Sequence, residues 1–196
     1  MFNVLPGQIR GCLSLILYVL NTVFWCLILF IMTVAKALIP LESWRRRCSR
    51  VLHAIAENWI WVNNLNLKLI SNTRWDIKGA EVLKRADWYL VLSNHQSWVD
   101  ILVLQKVFNR KIPFLKFFIK RELFWFPVLG QAWWALDFPF IKRYTKRFLQ
   151  KKPHLRGKDL EITRKACEKF KNIPVSIMNF VEGTRFTNEK HSRQHS

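Results

Sequence analysis

The chain has 196 residues, with 32 Lys and Arg against 13 Asp and Glu for a formal net charge of +19. That length suits one modest domain plus a membrane segment and argues against two full domains. So basic a chain seeks an anionic partner; with 51% apolar residues, 10 Trp and 15 Phe, it favours a phospholipid surface over nucleic acid.

The first element in chain order is an uncharged run of 25 residues from Gly11 to Ala35. A helix of that length reaches about 37 Å at about 1.5 Å per residue, against a hydrocarbon core of about 30 Å. A cleaved signal peptide is the alternative, but the run exceeds a signal's apolar region and a basic cluster follows it. Only Arg10 precedes the run, whereas Lys36, Arg45, Arg46, Arg47 and Arg50 follow, so the positive-inside rule places the rest of the chain in the cytoplasm. A re-entrant helix that returns on the same side is the other topology compatible with these flanks. Residues 1–40 are therefore expected to form the anchor and residues 41–70 an amphipathic, interfacial helix.

From Trp44 to Val62, Cys48, Val51, Leu52, Ile55, Trp59 and Val62 recur at helical spacing, opposite Arg46, Arg50, His53 and Glu57. The stripe either packs on protein or lies in the headgroup layer. His53 is expected to face solvent. Cys12, Cys26, Cys48 and Cys167 show no paired or metal-like spacing, so neither a disulfide framework nor a metal site is indicated.

Residues 71–196 are expected to form the catalytic domain. Thr73–Lys78 reads as a short strand, and Trp88–Ser93 as a buried strand in the middle of a parallel sheet. Asn94-His95-Gln96-Ser97 then makes a turn. Ser97 with Asp100 resembles a capping box, which starts a helix at Ser97. On one continuous helix His95 and Asp100 would lie about 140° apart. With His95 in the turn and Asp100 in the first helical turn, they can meet. Imidazole can then take a proton from an alcohol while the carboxylate fixes its tautomer. No GxSxG elbow is present, which favours direct transfer over an acyl-enzyme. Asp100 as a mere cap and His95 as a structural residue is the competing reading of this spacing.

Between Phe117 and Arg143 lies an aromatic stretch with cations at both ends, suited either to an acyl tail near a phosphate or to core packing with snorkelling cations. Residues 142 to 171 hold twelve Lys or Arg against Asp159, Glu161 and Glu168. This is either a solvated face or a surface that draws anionic headgroups. No nucleic-acid motif accompanies it. Pro174–Val181 is a second buried-strand pattern that ends in Glu182-Gly183-Thr184-Arg185. In an open α/β sheet such loops gather at the carboxyl ends of the strands, where ligands bind. Arg185 offers a bidentate donor set for phosphate and Gly183 permits close backbone approach; an ordinary turn with a surface Arg is the plainer alternative.

These residues together resemble the 1-acylglycerol-3-phosphate (lysophosphatidic acid) acyltransferases of the glycerolipid acyltransferase family. Asn94-His95-Gln96-Ser97 through Asp100 is similar to its N-H-x-S-x-x-D signature, the HX4D motif. Phe180-Val181-Glu182-Gly183-Thr184-Arg185 is similar to F-P-E-G-T-R, with Val181 in place of Pro. Lys120, Glu122-Leu123, Pro127, Gly130 and Phe140-Ile141-Lys142-Arg143 match its middle pattern, with Lys142 where an acidic residue is common. The resemblance spans about residues 70 to 187 and is nearest to the bacterial inner-membrane branch.

The resemblance implies an α/β fold with a mixed, mostly parallel sheet flanked by helices, behind a transmembrane helix and an interfacial helix. It implies His95 and Asp100 as the catalytic pair. Asn94, Ser97, Lys120, Arg143, Glu182, Gly183, Thr184 and Arg185 become the substrate-binding residues. No cofactor is implied; an acyl-CoA or acyl carrier protein serves as co-substrate and a lysophospholipid as acceptor, at the cytoplasmic face of a bacterial inner membrane. Family members continue with a further strand and helices, so the resemblance implies a chain shortened at its C-terminus. An inactive lipid-binding paralogue, or an enzyme using another lysophospholipid or glycerol 3-phosphate, is the competing expectation. His191 and His195 in the polar tail have the spacing of helical metal ligands but read as a flexible end.

Overall fold

The computed structural model describes residues 6–71, 73–141, 150–152, 157–168, 170–171, 173–181, 185–187 and 192. It divides into two compact units, residues 1–82 with 131–136 and residues 83–130 with 137–196.

The first unit is built on two long helices. Helix α1 (Gly7–Leu38) carries the uncharged run and is long and apolar enough to cross a membrane. Only Cys26 and Leu29 along it are buried, while Leu20, Leu27 and Ile31 stand exposed. Thr22 and Thr33 return their hydroxyls to the carbonyls of Tyr18 and Leu29, at 2.7 Å each. Their polar groups are thereby satisfied inside the helix. Helix α2 (Glu42–Ile70) fills the expected helical segment of residues 41–70, and its buried stripe runs past Val62, where the apolar spacing stops. Asn63 and Asn66 look like helix-ending polar residues, yet they lie on the buried stripe with Cys48, Leu52, Ile55, Ala56 and Ile60.

Four contacts show that stripe facing α1, with the helices antiparallel. Trp44 donates its indole N–H to Ala35 O at 2.9 Å, and Trp59 donates to Thr22 Oγ1 at 3.1 Å. Asn21 Nδ2 donates to Asn63 Oδ1 at 2.8 Å, and Asn66 Nδ2 to Ser14 O at 3.1 Å. Two expectations change here. Glu57 is buried and His53 is half-buried with a partner, whereas Val51 turns outward, because the stripe is centred about one residue off the expected one. Thr73–Lys78 forms no strand. Its half-buried Trp75 and Ile77 alternate with exposed Arg74, Asp76 and Lys78 as a strand would, but no ladder partner is present among the described residues.

The second unit is α/β. Its elements are β1 (Tyr89–Ser93), α3 (Val99–Phe108), β2 (Leu115–Phe117), β3 (Ile119–Lys120), β4 (Phe140–Ile141), α5 (Lys158–Glu168) and β5 (Ser176–Phe180). Between β3 and β4 the chain forms α4 (Leu129–Ala135), most of which belongs to the first unit. Every described ladder is parallel: β5 runs between β1 and β2, and β3 pairs with β4. Strand β5, not β1, is therefore the middle strand. Strand β1 lies at the edge of the described sheet, with Leu90 68% and Leu92 58% exposed. The core fills the other face, where Ile112, Leu115 and Met178 are buried among Tyr89, Val91, Leu104, Phe108, Phe117 and Phe180. Helix α3 starts at Val99, two residues after the expected Ser97, with Trp98 at helical angles before it and Ser97 Oγ accepting Val99 N–H at 3.2 Å.

The two faces of the sheet predict opposite sensitivities. Met178→Ala, which opens a cavity at a residue only 1% exposed, costs about 2–5 kcal/mol. Leu90→Ala on the exposed face stays within about 0.5 kcal/mol. Thermal unfolding in detergent micelles reads both, and equal effects contradict the assignment of faces.

Candidate active site

Register brings the two loops together. Strands β1 and β5 pair in parallel from Tyr89 against Ser176 to Ser93 against Phe180, so both chains leave the sheet at the same end, side by side. Val181 N–H donates to Ser93 O at 3.2 Å, and beyond the strands Phe186 N–H donates to His95 O at 2.7 Å. The His95 backbone is thus tied to the loop that follows β5.

The imidazole is held from several sides. Asp100 Oδ2 lies 3.0 Å from His95 Nδ1 and also accepts the backbone N–H groups of Gln96 at 2.7 Å and Ser97 at 2.8 Å. An ionised carboxylate only accepts, so Nδ1 carries the proton that faces it and Nε2 is the unprotonated nitrogen of the neutral ring. Phe180 lies flat against the imidazole, with centroids 3.9 Å apart and planes 16° apart. Trp98 meets it edge-on at 6.5 Å, and the Arg185 guanidinium stands over the Trp98 ring at 5.9 Å. Nε2 has no hydrogen-bond partner among the described residues.

The Ser97 N–H is the main influence holding the Asp100 carboxyl below the ordinary carboxylate range. Partial burial opposes it, while the His95 hydrogen bond, the Gln96 N–H and attraction to a protonated His95 add to the lowering.

A family model described as Acyltransferase matches residues 74–196. The chain belongs to the acyltransferase family. The chain is similar to human 1-acyl-sn-glycerol-3-phosphate acyltransferase alpha, with 30% identity over 122 residues covering 62% of this chain and 38% of the human protein. It is similar to Arabidopsis thaliana 1-acyl-sn-glycerol-3-phosphate acyltransferase 3, with 30% identity over 106 residues, 52% of this chain and 25% of the plant protein. The matched stretch thus spans less than half the length of these relatives. The crystal structure of the 1-acyl-sn-glycerophosphate (LPA) acyltransferase PlsC from Thermotoga maritima has the same fold. Its TM-score is 0.54 at 21% identity, covering 93% of this chain and 65% of that one.

Of the residues expected from sequence, the fold brings His95, Ser97, Asp100 and Arg185 into one neighbourhood. Asn94 is exposed beside them, its carbonyl accepting the Ser93 hydroxyl at 2.9 Å. Lys120 is exposed on the separate two-stranded sheet, paired in register with Ile141, and makes no hydrogen bond or ion pair with the His95–Asp100 pair. Arg143, Glu182, Gly183 and Thr184 lie outside the described residues, as do Lys142 and the tail histidines. Among the described residues no cluster of His, Cys, Asp or Glu could hold a metal ion. Phe180 and Trp98, which the motifs contain without a role, and the Phe186 N–H are the contacts of His95 that the residues alone do not indicate. The signal for Phe180 was available, since it stands one residue before the loop on a strand parallel to the one that delivers His95.

Because the folded carboxyl ionises below the unfolded value of about 3.9, the stabilisation from Asp100 is full above that value. It is lost as pH falls through the lowered folded pKa. A carboxyl-carbon NMR titration of Asp100 should show a midpoint below about 3.9, moving upward when Ser97→Pro removes the N–H; a midpoint at or above the ordinary value contradicts the three-donor geometry.

Proposed function

We propose that the chain transfers a fatty acyl group from the thioester of an acyl-CoA or acyl carrier protein to the free hydroxyl of lysophosphatidic acid, giving phosphatidic acid. The observation that carries this reading is the His95–Asp100 pairing through Nδ1, which leaves Nε2 to act as a base. The acceptor hydroxyl attacks the thioester carbonyl as its proton passes to Nε2. A C–O bond forms, the C–S bond breaks, and the imidazolium returns its proton to the leaving thiolate. Asp100 supports the imidazolium while it exists. Arg185, with Lys120, Arg143 and the Glu182-Gly183-Thr184 turn, supplies the phosphate-binding groups that the resemblance implies, and Ser97 acts through the cap it forms. Phe180 is a positioning residue, since a ring stacked on the imidazole keeps its plane turned toward Asp100.

We place the chain at the cytoplasmic face of a bacterial inner membrane. The antiparallel pairing of α2 on α1 favours the re-entrant topology over a single crossing. Arg45, Arg46, Arg47 and Arg50 stand beside the turn that joins the two helices, so two full crossings would place all four cations on the outer side, against the positive-inside rule. An Ile39→Cys thiol labelled from the outer face of intact cells would overturn this placement.

Activity is tested with membranes, labelled acyl-CoA and lysophosphatidate. His95→Ala lowers incorporation by about 10²–10⁴-fold, the usual contribution of a general base. Incorporation equal to wild type overturns the catalytic reading, and a wild type with none supports an inactive lipid binder. Phe180→Ala lowers kcat by up to about 10²-fold through misplacement of the base, with KM little changed, and Phe180→Tyr restores it. A KM effect alone contradicts the positioning role.

A further inference from the structure

The turn between β3 and α4 displays apolar side chains that nothing in its own unit covers. Residues Arg121–Trp125 form a 3-10 turn. Leu123 is 39% exposed, Trp125 79%, Phe126 51% and Val128 45%. The stretch was expected to host an acyl tail or to fill the core; these four side chains instead turn outward. Only Phe124 turns in, meeting Phe140 edge-on at 5.9 Å.

The turn is wound tightly. Phe126 N–H donates to Leu123 O at 3.1 Å, and Gly130 N–H to Phe126 O at 2.9 Å. A Cβ at Gly130 would sit 2.1 Å from Phe124 O and 2.6 Å from Leu123 O, so only glycine allows the approach. Val128 is held at φ 66°, a region that β-branched residues avoid. The backbone is therefore fixed in a shape that keeps the apolar groups on the outside. Lys120 and Arg121 flank them, exposed and without an ion pair among the described residues, and Glu122 is the one acid beside them.

We propose that the turn from Arg121 to Val128 is a second membrane contact, with Trp125 and Phe126 entering the headgroup layer of an anionic bilayer. Tryptophan and phenylalanine flanked by cations are the side chains that favour that layer. A chain of net charge +19 that also carries α1 is already drawn to such a surface. The contact rests on the membrane placement proposed above and deepens it, because it gives the unit that holds His95 its own hold on the bilayer that supplies the acceptor.

The test uses the full chain in phosphatidylethanolamine–phosphatidylglycerol vesicles doped with a phospholipid carrying a diazirine high on its acyl chain. After irradiation, mass spectrometry should find lipid adducts on the peptide containing Trp125 and Phe126 as well as on α1. Trp125→Ser with Phe126→Ser should lose the first adduct and keep the second. Replacing phosphatidylglycerol by phosphatidylcholine should lower the turn's yield and leave that of α1 unchanged; a turn yield indifferent to lipid charge overturns the part given to Lys120 and Arg121. Adducts on α1 with none on the wild-type turn overturn the proposal and leave the membrane placement standing. Adducts on neither overturn both. Protein–protein adducts at the turn in place of lipid assign it to a second copy of the chain and overturn the proposal.

Discussion

One carboxylate oxygen organises the unit that holds His95. Asp100 Oδ2 accepts three donors at once, the Gln96 and Ser97 backbone N–H groups and His95 Nδ1. The two backbone donors, from the residues just before α3, close the turn out of β1 onto the first turn of the helix. The third sets the imidazole tautomer. A single group therefore begins the helix, shapes the turn and decides which ring nitrogen is free. Fold and chemistry cannot be separated at this point, because an Asp100 that served only as a cap would still hold the same two N–H groups. What distinguishes this arrangement from a plain cap is the third donor, His95 Nδ1, which a cap does not require.

Parallel register carries that local device into a site. Ser93 and Phe180 are paired at the carboxyl ends of adjacent strands, so the turn that bears His95 and the loop that leads to Arg185 start from one level of the sheet. Phe180 packs against the cluster of Ile112, Leu115 and Met178 and also stacks on the imidazole. The position of the imidazole is thus referred to the core through one aromatic ring. Core packing at near-crystalline density leaves such a ring little room to tilt, which is how a side chain at the rim of an edge strand comes to be oriented.

The local parts of this arrangement were legible in the residues, and the non-local parts were not. The five-residue spacing from His95 to Asp100 can be read as turn then helix because only that geometry lets them meet. The apolar runs before Asn94 and before Glu182 marked β1 and β5 for the same local reason. Strand order was not legible. Both runs are equally apolar, and only pairing shows β5 in the middle and β1 with Leu90 and Leu92 open. The alternation in Thr73–Lys78 was real, but alternation specifies two faces and not a partner. That Asn63 and Asn66 extend the buried stripe of α2 was not legible, since a polar residue on a buried stripe is explained only by what it meets across the seam.

That seam bears on how the helical pair lives at a bilayer. In a helix pair made for water, the apolar side chains face each other and the polar ones face out. Here α1 shows Leu20, Leu27 and Ile31 to its surroundings while Asn21 and Ser14 bond to Asn63 and Asn66 between the helices. Lipid rewards such a division, because apolar packing between helices has little driving force in hydrocarbon while an unsatisfied amide there is costly. The polar pairs also fix the register of α2 on α1, since a slip by one residue would strand an asparagine against an apolar surface. The basic half of α2 breaks the pattern, with Arg45, Arg46, Arg47 and Arg50 all within its first turns. A pair that is apolar along α1 and cationic along the start of α2 fits a boundary between lipid and water better than either medium alone.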